Sequence, residues 1–211
     1  MTISNNGETQ VLEEIFNAGA GAFPAADAWL SLHSADPGET GTNEVTGGSY
    51  GRQQVAMTVT GNTVTNDAIE SFSGMPAGDV VGWGIWDASV AGNCFWTGWF
   101  STVGRVGVVD AAGITSNDII SPAHGVVADD RIVLEAIEGE TTPTGITAGT
   151  LYYVLSAGLT TDTFNLSATS GGAEVDISAK GVGLFRKVTV TTLGAGNTFQ
   201  VAAGDLDIFI D

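Results

Sequence analysis

Short apolar segments with a period of two residues are the feature that most limits what this chain can fold into. In residues 55–60 every second side chain is apolar, and the same alternation returns in 188–191 and 206–210. Such a pattern places the apolar residues on one face of a strand. The 30 glycines among 211 residues supply the tight turns that many short strands need, and Gly61-Asn62 is a predicted hairpin turn. The sequence therefore predicts an all-β protein with a β-sandwich or jelly-roll-like fold.

One helix is predicted in front of these strands, over residues 5–18. Asn5 can cap it, and Glu8 follows three residues later, as in a capping box. An apolar stripe then runs along one side of the helix, formed by Val11, Leu12, Ile15 and Phe16. We expect this helix either to pack over one end of the β-fold or to contact another subunit.

The segment 29–52 is predicted to be a strand, a long polar loop and a return to a second strand. Turn chemistry at 36–38, Asp-Pro-Gly, ends the first strand, and Gly47-Gly48 precedes the second. A long loop held by a strand at each end commonly displays residues or packs on a neighbouring subunit. His33 is expected to be a hydrogen-bonded turn residue. The candidate interface or display residues of this segment are Trp29, His33, Asp36, Glu39, Asn43, Tyr50 and Arg52.

Four of the five tryptophans fall in two predicted strands, 80–86 and 94–100. Trp83 and Trp86 are three residues apart, as are Trp96 and Trp99, so the two members of each pair should face opposite sides of a sheet. One member of each pair is expected in the core. The other is expected on an outer face, where it either packs on a second layer or awaits a partner, as in a subunit interface or an aromatic platform for carbohydrate. Trp86, Trp96 and Trp99 are therefore added to the candidate interface residues.

The charge balance narrows the classes of partner. Six Lys and Arg stand against 24 Asp and Glu, a formal charge of −18. Nucleic acids and anionic membranes require clustered positive charge, so neither is an expected partner. The sequence contains no run of 18 apolar residues, so a membrane span is not predicted. Cys94 is the single cysteine, which excludes an intrachain disulfide, and its apolar neighbours predict a small core residue.

Residues for catalysis, a cofactor or a metal are not predicted. His33 and His124 lie in separate segments, and neither is accompanied by a nucleophile motif. Asp129-Asp130 and the pair Asp205 and Asp207 are expected in so acidic a chain and carry little information. Asp205 and Asp207 share a strand face that offers carboxylates to Ca²⁺, but no calcium-binding repeat surrounds them. We expect a protein that is not an enzyme, with no cofactor and no metal.

Several motifs, taken in order, resemble a family of tailed-bacteriophage proteins described as tail-fibre or virion structural proteins. They are LHSADPGETG, NEV and GGSY with the following Arg52, then WGIWDA, GNCFWTGWF and AAGDLDIFID. Together they cover about 1–102 and 187–211 of this sequence. The resemblance implies a component of the virion, synthesised in the host cytoplasm and exposed on the phage particle.

A second resemblance covers the segment between these two ranges. An HG turn followed by DDRIVL, then PTGITAGTLYYV and DTFNLS, resembles a small β-module found in phage fibre and appendage proteins. Because the segment interrupts the outer fold, we expect an inserted, β-barrel-like domain over residues 105–186. The outer domain then consists of residues 1–104 and 187–211. Insertions are tolerated where their two ends meet, since the cost of loop closure grows slowly with length.

The leading expectation is a non-enzymatic structural protein of a tailed phage, of the tail-fibre or tail-tip type. It would be assembled by symmetric contacts as a homo-oligomer, with a trimer favoured. Its expected partners are other virion proteins of the tail or the major capsid protein, and a host surface receptor is a further candidate. A capsid decoration or head-fibre protein is the alternative placement. A carbohydrate-binding module built on exposed tryptophans is a third reading.

Overall fold

The structure is a computed structural model that describes residues 11–12, 28–101, 107–111, 117–137 and 139–209. Apart from helical backbone at Val11 and Leu12, the regular structure in these residues is β-strand, which confirms the predicted all-β class. The rest of the predicted helix over 5–18 lies outside the described residues. The strands are β1 (Trp29–His33), β2 (Gln53–Gln54), β3 (Met57–Thr60), β4 (Thr63–Asn66), β5 (Glu70–Phe72), β6 (Gly78–Val80), β7 (Gly82–Trp86), β8 (Cys94–Trp99), β9 (Gly107–Ala111), β10 (Ile119–Ile120), β11 (Arg131–Glu135), β12 (Leu151–Val154), β13 (Thr163–Phe164), β14 (Leu166–Ser167), β15 (Val182–Val188), β16 (Thr191–Leu193), β17 (Phe199–Val201) and β18 (Asp207–Phe209).

The chain divides into two compact units. The first unit is formed by Met1–Gly98 with Thr191–Asp211, and the second by Trp99–Val190. The first unit contains a four-stranded sheet in the order β2-β1-β7-β8, and three small sheets, β16-β6, β17-β5 and β18-β4-β3. Each small sheet joins a strand from the C-terminal segment to one from the N-terminal segment. Residues 191–209 are thus an integral part of the first unit.

The pair β1 and β7 forms the centre of the four-stranded sheet. The strands are antiparallel, with Trp29 opposite Trp86 and His33 opposite Gly82. All five residues of β7 and four of the five in β1 are buried, so both faces of this pair are covered. Trp83 and Trp86 are both buried, at only 9% and 8% exposed, so of the two alternatives for the outer-face tryptophan of this pair, packing on a second layer agrees with the burial.

The predicted hairpin and C-terminal strand are both present in the first unit. β3 and β4 pair from Met57 with Asn66 to Thr60 with Thr63, and Gly61 occupies the left-handed region between them at a φ of 66°. This confirms the predicted turn. Near the C-terminus, Leu206 and Ile208 are buried while the neighbouring aspartates are exposed, as the alternation predicted.

The second unit is built around a seven-stranded sheet in the order β13-β10-β9-β15-β11-β12-β14. Its first and last strands in sequence are neighbours: β9 pairs with β15, with Gly107 opposite Phe185. Val188, expected to start a returning strand of the outer fold, is instead the last residue of β15 and pairs with Arg131. The core of this unit consists of Ile119, Val126, Ile132, Leu134, Ile146, Tyr152, Val154, Phe164, Leu166, Ile177 and Phe185.

Candidate functional site

Arg52 is the centre of a buried polar cluster in the first unit. We call the set Ser31, His33, Glu44, Tyr50, Arg52 and Trp86 the Arg52 cluster. The guanidinium of Arg52 forms two parallel bonds to the Glu44 carboxylate, from Nε to Oε1 at 3.0 Å and from Nη2 to Oε2 at 2.7 Å. The Arg52 side chain is only 7% exposed and that of Glu44 is 23% exposed. This fork geometry is the strongest form of an Arg–carboxylate pair.

The same guanidinium also fixes the turn between β7 and β8. Its Cζ lies 3.5 Å from the centroid of the Trp86 ring, which places the cation over the electron-rich face. The remaining nitrogen, Nη1, donates to the carbonyl of Ala88 at 2.9 Å and to that of Ala91 at 2.7 Å. One side chain therefore joins the loop after β1, the core of β7 and the 87–93 turn.

Tyr50 connects the cluster to the backbone of β1. Its hydroxyl donates to Glu44 Oε1 at 3.0 Å and accepts the N–H of Leu32 at 2.9 Å. Burial raises the pKa of the Tyr50 hydroxyl well above its ordinary value, and the neighbouring Glu44 carboxylate acts in the same direction. The hydroxyl therefore stays protonated around neutral pH and can donate to Glu44.

Ser31, His33 and Trp86 continue the cluster as a chain of hydrogen bonds. Trp86 Nε1 donates to Ser31 Oγ at 2.8 Å, and Ser31 Oγ lies 2.7 Å from His33 Nε2. His33 Nδ1 lies 2.7 Å from the carbonyl of Thr42, which can only accept. We therefore assign the proton of the neutral ring to Nδ1, so that Nε2 accepts from the serine. Burial lowers the pKa of His33, which favours this neutral form.

The Ser31–His33 contact has the distance expected between a catalytic nucleophile and its base, but its surroundings are not those of a catalytic pair. Both residues are fully buried, and the third partner is a backbone carbonyl instead of a carboxylate. Ser31 Oγ also receives the Trp86 N–H and lies 3.2 Å from the carbonyl of Gly84. Its hydrogen-bonding positions are filled from within the protein, so the arrangement serves to hold three segments together.

Two glycines show how tightly the cluster is packed. A Cβ on Gly41 would lie 2.2 Å from Cζ2 of Trp86, and Gly41 has a φ of 67° that side-chain-bearing residues resist. A Cβ on Gly84 would lie 2.8 Å from Ser31 Oγ. Glycine at these positions lets the backbone approach the tryptophan and the serine.

The loop above the cluster is exposed on its outer side and held by its own hydrogen bonds. Asp36 Oδ1 accepts the N–H of Gly38 at 2.9 Å, and Asn43 Nδ2 donates to the carbonyl of Asp36 at 2.7 Å. The N–H of Thr42 donates to the carbonyl of Pro37 at 2.7 Å. From β8, Thr97 Oγ1 donates to the carbonyl of Gly38 at 2.6 Å. Glu39 projects outward from this fixed backbone.

The structure separates the ten candidate interface residues into three groups. His33, Tyr50, Arg52 and Trp86 meet in the Arg52 cluster. Asp36, Glu39 and Asn43 lie on the loop above it, where Glu39 and Asn43 are exposed and Asp36 is half-buried. Trp29, Trp96 and Trp99 are half-buried in β1 and β8 and are not part of the cluster.

Three sequence-based expectations about single residues need correction. His33 is not a turn residue but the fully buried last residue of β1, and it is bonded on both ring nitrogens. His33, Arg52 and Trp86 do not reach the surface of this chain, because the loop after β1 folds back over β7. Cys94, expected in the core, is half-buried, and burial raises the pKa of its thiol.

Sequence reasoning missed Ser31 and Glu44, which complete the cluster. Glu44 stands between Asn43 and Val45 and carries no periodic signal, although it precedes the only Lys or Arg of the segment 29–52 by eight positions. Ser31 is a small residue between two leucines. The one sequence signal available for Glu44 was Arg52 itself, because a buried arginine requires a carboxylate partner.

Neither a cluster of metal-ligating side chains nor a helix suited to span a bilayer is present in the described residues. In this part of the chain, no group of three or more His, Cys, Asp or Glu side chains converges as a metal site would require. Asp205, considered above for Ca²⁺, accepts the N–H of Ala202 at 3.3 Å and thus closes a turn. Among the same residues there is no helix that is long and apolar enough to span a bilayer.

These features define an all-β protein whose first unit is organised by a buried, fully engaged polar cluster. Compared with protein families, the chain matches the family described as podophage GP4 fiber I protein gp80 over residues 2–121, more than half of its length. The chain belongs to this family of phage fibre proteins. No curated protein and no solved structure matches it. The predicted resemblance to tailed-phage virion proteins is confirmed at the level of a phage fibre family.

Proposed function

We propose that the protein is a non-enzymatic structural component of the fibre of a podophage-type particle, of the tail-fibre or tail-tip type. The match to the fibre family over residues 2–121 is the observation that carries this proposal. The protein would act by burying surface against other virion proteins. These contacts would hold it at the surface of the particle.

The Arg52 cluster supports a structural role for the first unit. Its polar atoms are hydrogen-bonded to one another: Glu44 to Arg52 and Tyr50, and Ser31 to Trp86 and His33. A satisfied buried network rigidifies the segments that it joins. The exposed loop 34–43 and the 87–93 turn are thereby held in one conformation, which reduces the entropy lost when they bind a partner.

The second unit is proposed to be a domain inserted into the first, over about residues 105–186 as the sequence indicates. Its entering and leaving strands are adjacent, because β9 pairs with β15. The N–H of Thr189 also donates to the carbonyl of Phe100 at 2.7 Å, so the two connecting segments meet. An insertion with adjacent ends leaves the host fold continuous.

The proposed assembly is a homo-oligomer, with a trimer favoured, that joins other virion proteins and contacts a host receptor. The carbohydrate-binding reading can no longer use Trp86, whose ring is buried beneath Arg52, and would have to rest on Trp96 and Trp99, which are half-buried. An open aromatic face is what stacking on a sugar requires.

Copy number in purified particles tests the proposal. Quantitative mass spectrometry against the major capsid protein should give about 3 to 18 copies if the protein belongs to the tail, as tail symmetry implies. Hundreds of copies would place it on the head as a decoration or head-fibre protein. Absence from particles purified to constant composition would overturn the structural role itself.

A further inference from the structure

The first unit contains a small pocket between the segment that follows β1 and the segment that leads into β7. It measures about 180 Å³ and is lined by residues 34, 44–46 and 75–80. We call it the Asp79 pocket. Pockets for drug-sized ligands measure about 300–1,000 Å³, so this one has room for a single side chain or a molecule of that size.

Backbone hydrogen bonds fix the walls of the Asp79 pocket. The N–H of Val45 donates to the carbonyl of Leu32 at 2.9 Å. Met75 is bonded twice to the turn at 196–197, because its N–H donates to the carbonyl of Asn197 at 2.9 Å and its carbonyl accepts the N–H of Gly196 at 2.8 Å. β6 is held by its pairing with β16. A ligand would therefore enter a preformed site and order little of the protein.

Part of the pocket lining is apolar. Val45, Met75 and Val80 line it, and all three side chains are buried in the first unit. An apolar lining of this kind is suited to methylene groups, which gain free energy when they leave water.

Two carboxylates line the same pocket, and they differ in how their charge is balanced. Glu44 is paired with Arg52. The ion pairs among the described residues do not include Asp79, whose Oδ1 accepts the hydroxyl of Thr192 at 2.5 Å. The pocket thus combines apolar walls with one uncompensated negative charge. A cation on an apolar stem matches both features, whereas an apolar ligand would cover the Asp79 carboxylate without pairing it.

The hydrogen bonds that these carboxylates already form favour an ammonium group over a guanidinium. Both oxygens of Glu44 are bound by Arg52, and one oxygen of Asp79 is bound as well. Neither carboxylate therefore offers the two free oxygens that a guanidinium fork requires. An ammonium is a compact point charge whose three N–H groups can go to separate acceptors, and the hydroxyls of Ser34 and Thr46 also line the pocket.

We propose that the Asp79 pocket is a binding site for an alkylammonium group of the kind that ends a lysine side chain. The alkyl stem packs on the apolar walls, and the ammonium donates to Asp79. The first unit contains no lysine, so the group comes from outside this unit.

Two sources of a lysine side chain follow, and for these sources alone the inference rests on the proposed function. One is a lysine of another virion protein, and the other is a second copy of this chain. The chain has two lysines, and Lys187 is paired with Asp130 at 2.7 Å. The exposed Lys180 is therefore the residue that a second copy would contribute.

The test titrates full-length protein, isotope-labelled at its methionine methyl groups, with N-acetyl-lysine N-methylamide. Met75 lines the pocket and reports binding by NMR, while Met57 in β3 lies outside it and is the internal reference. We expect a saturable shift of the Met75 methyl signal with a Kd of about 1 mM, as the size of the probe implies. N-acetyl-norleucine N-methylamide has the same four-carbon stem without the charge, and should bind about five-fold more weakly or less.

Asp79→Asn removes the charge but keeps the shape and an acceptor for Thr192. It should weaken binding of the lysine probe by about five-fold or more. Asp207→Asn is the matched control, since Asp207 is an exposed aspartate of the same unit outside the pocket, and it should bind within about two-fold of wild type. Unfolding midpoints establish that each variant is folded. An unshifted Met75 signal, equal binding of the two probes, or equal binding by wild type and Asp79→Asn would overturn the proposal.

Self-association and incorporation into particles then identify the source of the lysine. If a second copy supplies it, Asp79→Asn and Lys180→Gln should weaken self-association to a similar extent in sedimentation. If another virion protein supplies it, Asp79→Asn should lower the number of copies per particle and leave self-association unchanged. An Asp79→Asn variant that is unchanged in both measurements would overturn the assignment of the ligand to a protein side chain.

The probe titration separates this inference from the proposed function, because it uses the purified protein alone. If the probe fails to bind while wild-type protein is present in particles, the pocket assignment is wrong and the structural role stands. If the probe binds while wild-type protein is absent from particles, the structural role fails and the chemistry of the pocket stands.

Discussion

Replacing Arg52 with methionine should destabilise the first unit far more than the loss of an ordinary surface ion pair. Methionine fills much of the same space but leaves the Glu44 carboxylate, which is 23% exposed, without its cation. It also removes the donors to Ala88 and Ala91 and the cation from the face of Trp86. Breaking a buried pair in this way costs about 3–5 kcal/mol. Because Glu44 keeps some contact with water, we expect about 3 kcal/mol, the lower end of that range.

The double variant Arg52→Met with Glu44→Gln is the internal control. It removes the unpaired charge, so it should recover part of the loss, with a coupling of about 1–3 kcal/mol between the two sites. Arg52→Lys keeps the charge but cannot form the fork, and should lose about 1–2 kcal/mol, an intermediate value.

Denaturant unfolding followed by tryptophan fluorescence reports this unit selectively, because four of the five tryptophans lie in its segments: Trp29, Trp83, Trp86 and Trp96. A loss of about 1 kcal/mol or less for Arg52→Met, the size found for exposed pairs, would refute the reasoning. So would a double variant that is no more stable than Arg52→Met alone.

Three further predictions concern single residues of the same unit. Gly41→Ala should lower the free energy of unfolding by about 2–4 kcal/mol, because the added Cβ would overlap Trp86. Gly61→Ala, at a similar φ but with open space around it, should lower it by about 1 kcal/mol. Equal losses of stability for the two variants in thermal unfolding would contradict this prediction. The pKa of His33 is lowered, so as pH falls below 6.5 the unfolded state takes up a proton before the folded state does, and the stability contributed by His33 is lost. His33→Asn should therefore flatten this part of the curve of unfolding free energy against pH. A difference in unfolding free energy between wild type and variant that stays constant from pH 7 to the acid limit would exclude this role of His33. The Cys94 thiol, with its pKa raised by burial, should react with a thiol reagent at least about ten-fold more slowly in the folded protein than in denaturant, and equal rates would show that it is open.

The class of fold was predictable because it depends on local alternation. The hairpin at Gly61 and the buried face of Leu206 and Ile208 follow directly from residues two apart in sequence. Such signals require no knowledge of distant contacts. For Trp83 and Trp86 the same reasoning left two alternatives open, and the structure shows that both faces of β7 are covered.

The Arg52 cluster could not be predicted from local patterns. His33 and Arg52 were both recognised as notable, yet their roles depend on the loop that returns Glu44 and Tyr50 over the strand. Ser31 acquires its role only through Trp86, 55 positions later in the sequence. Hydrogen bonds across such separations are set by tertiary packing, which one sequence does not encode in any periodic form.

The most direct test of a structural role in the phage fibre is a cryo-electron-microscopy reconstruction of the purified particle with this chain located in it. The account predicts density for the first unit at the tail, in symmetric copies, with residues 34–43 and 87–93 positioned against a neighbouring virion protein. Copies on the capsid shell would contradict the tail placement. A complete particle map that contains no density for this chain would contradict the claim that it is a structural component of the virion.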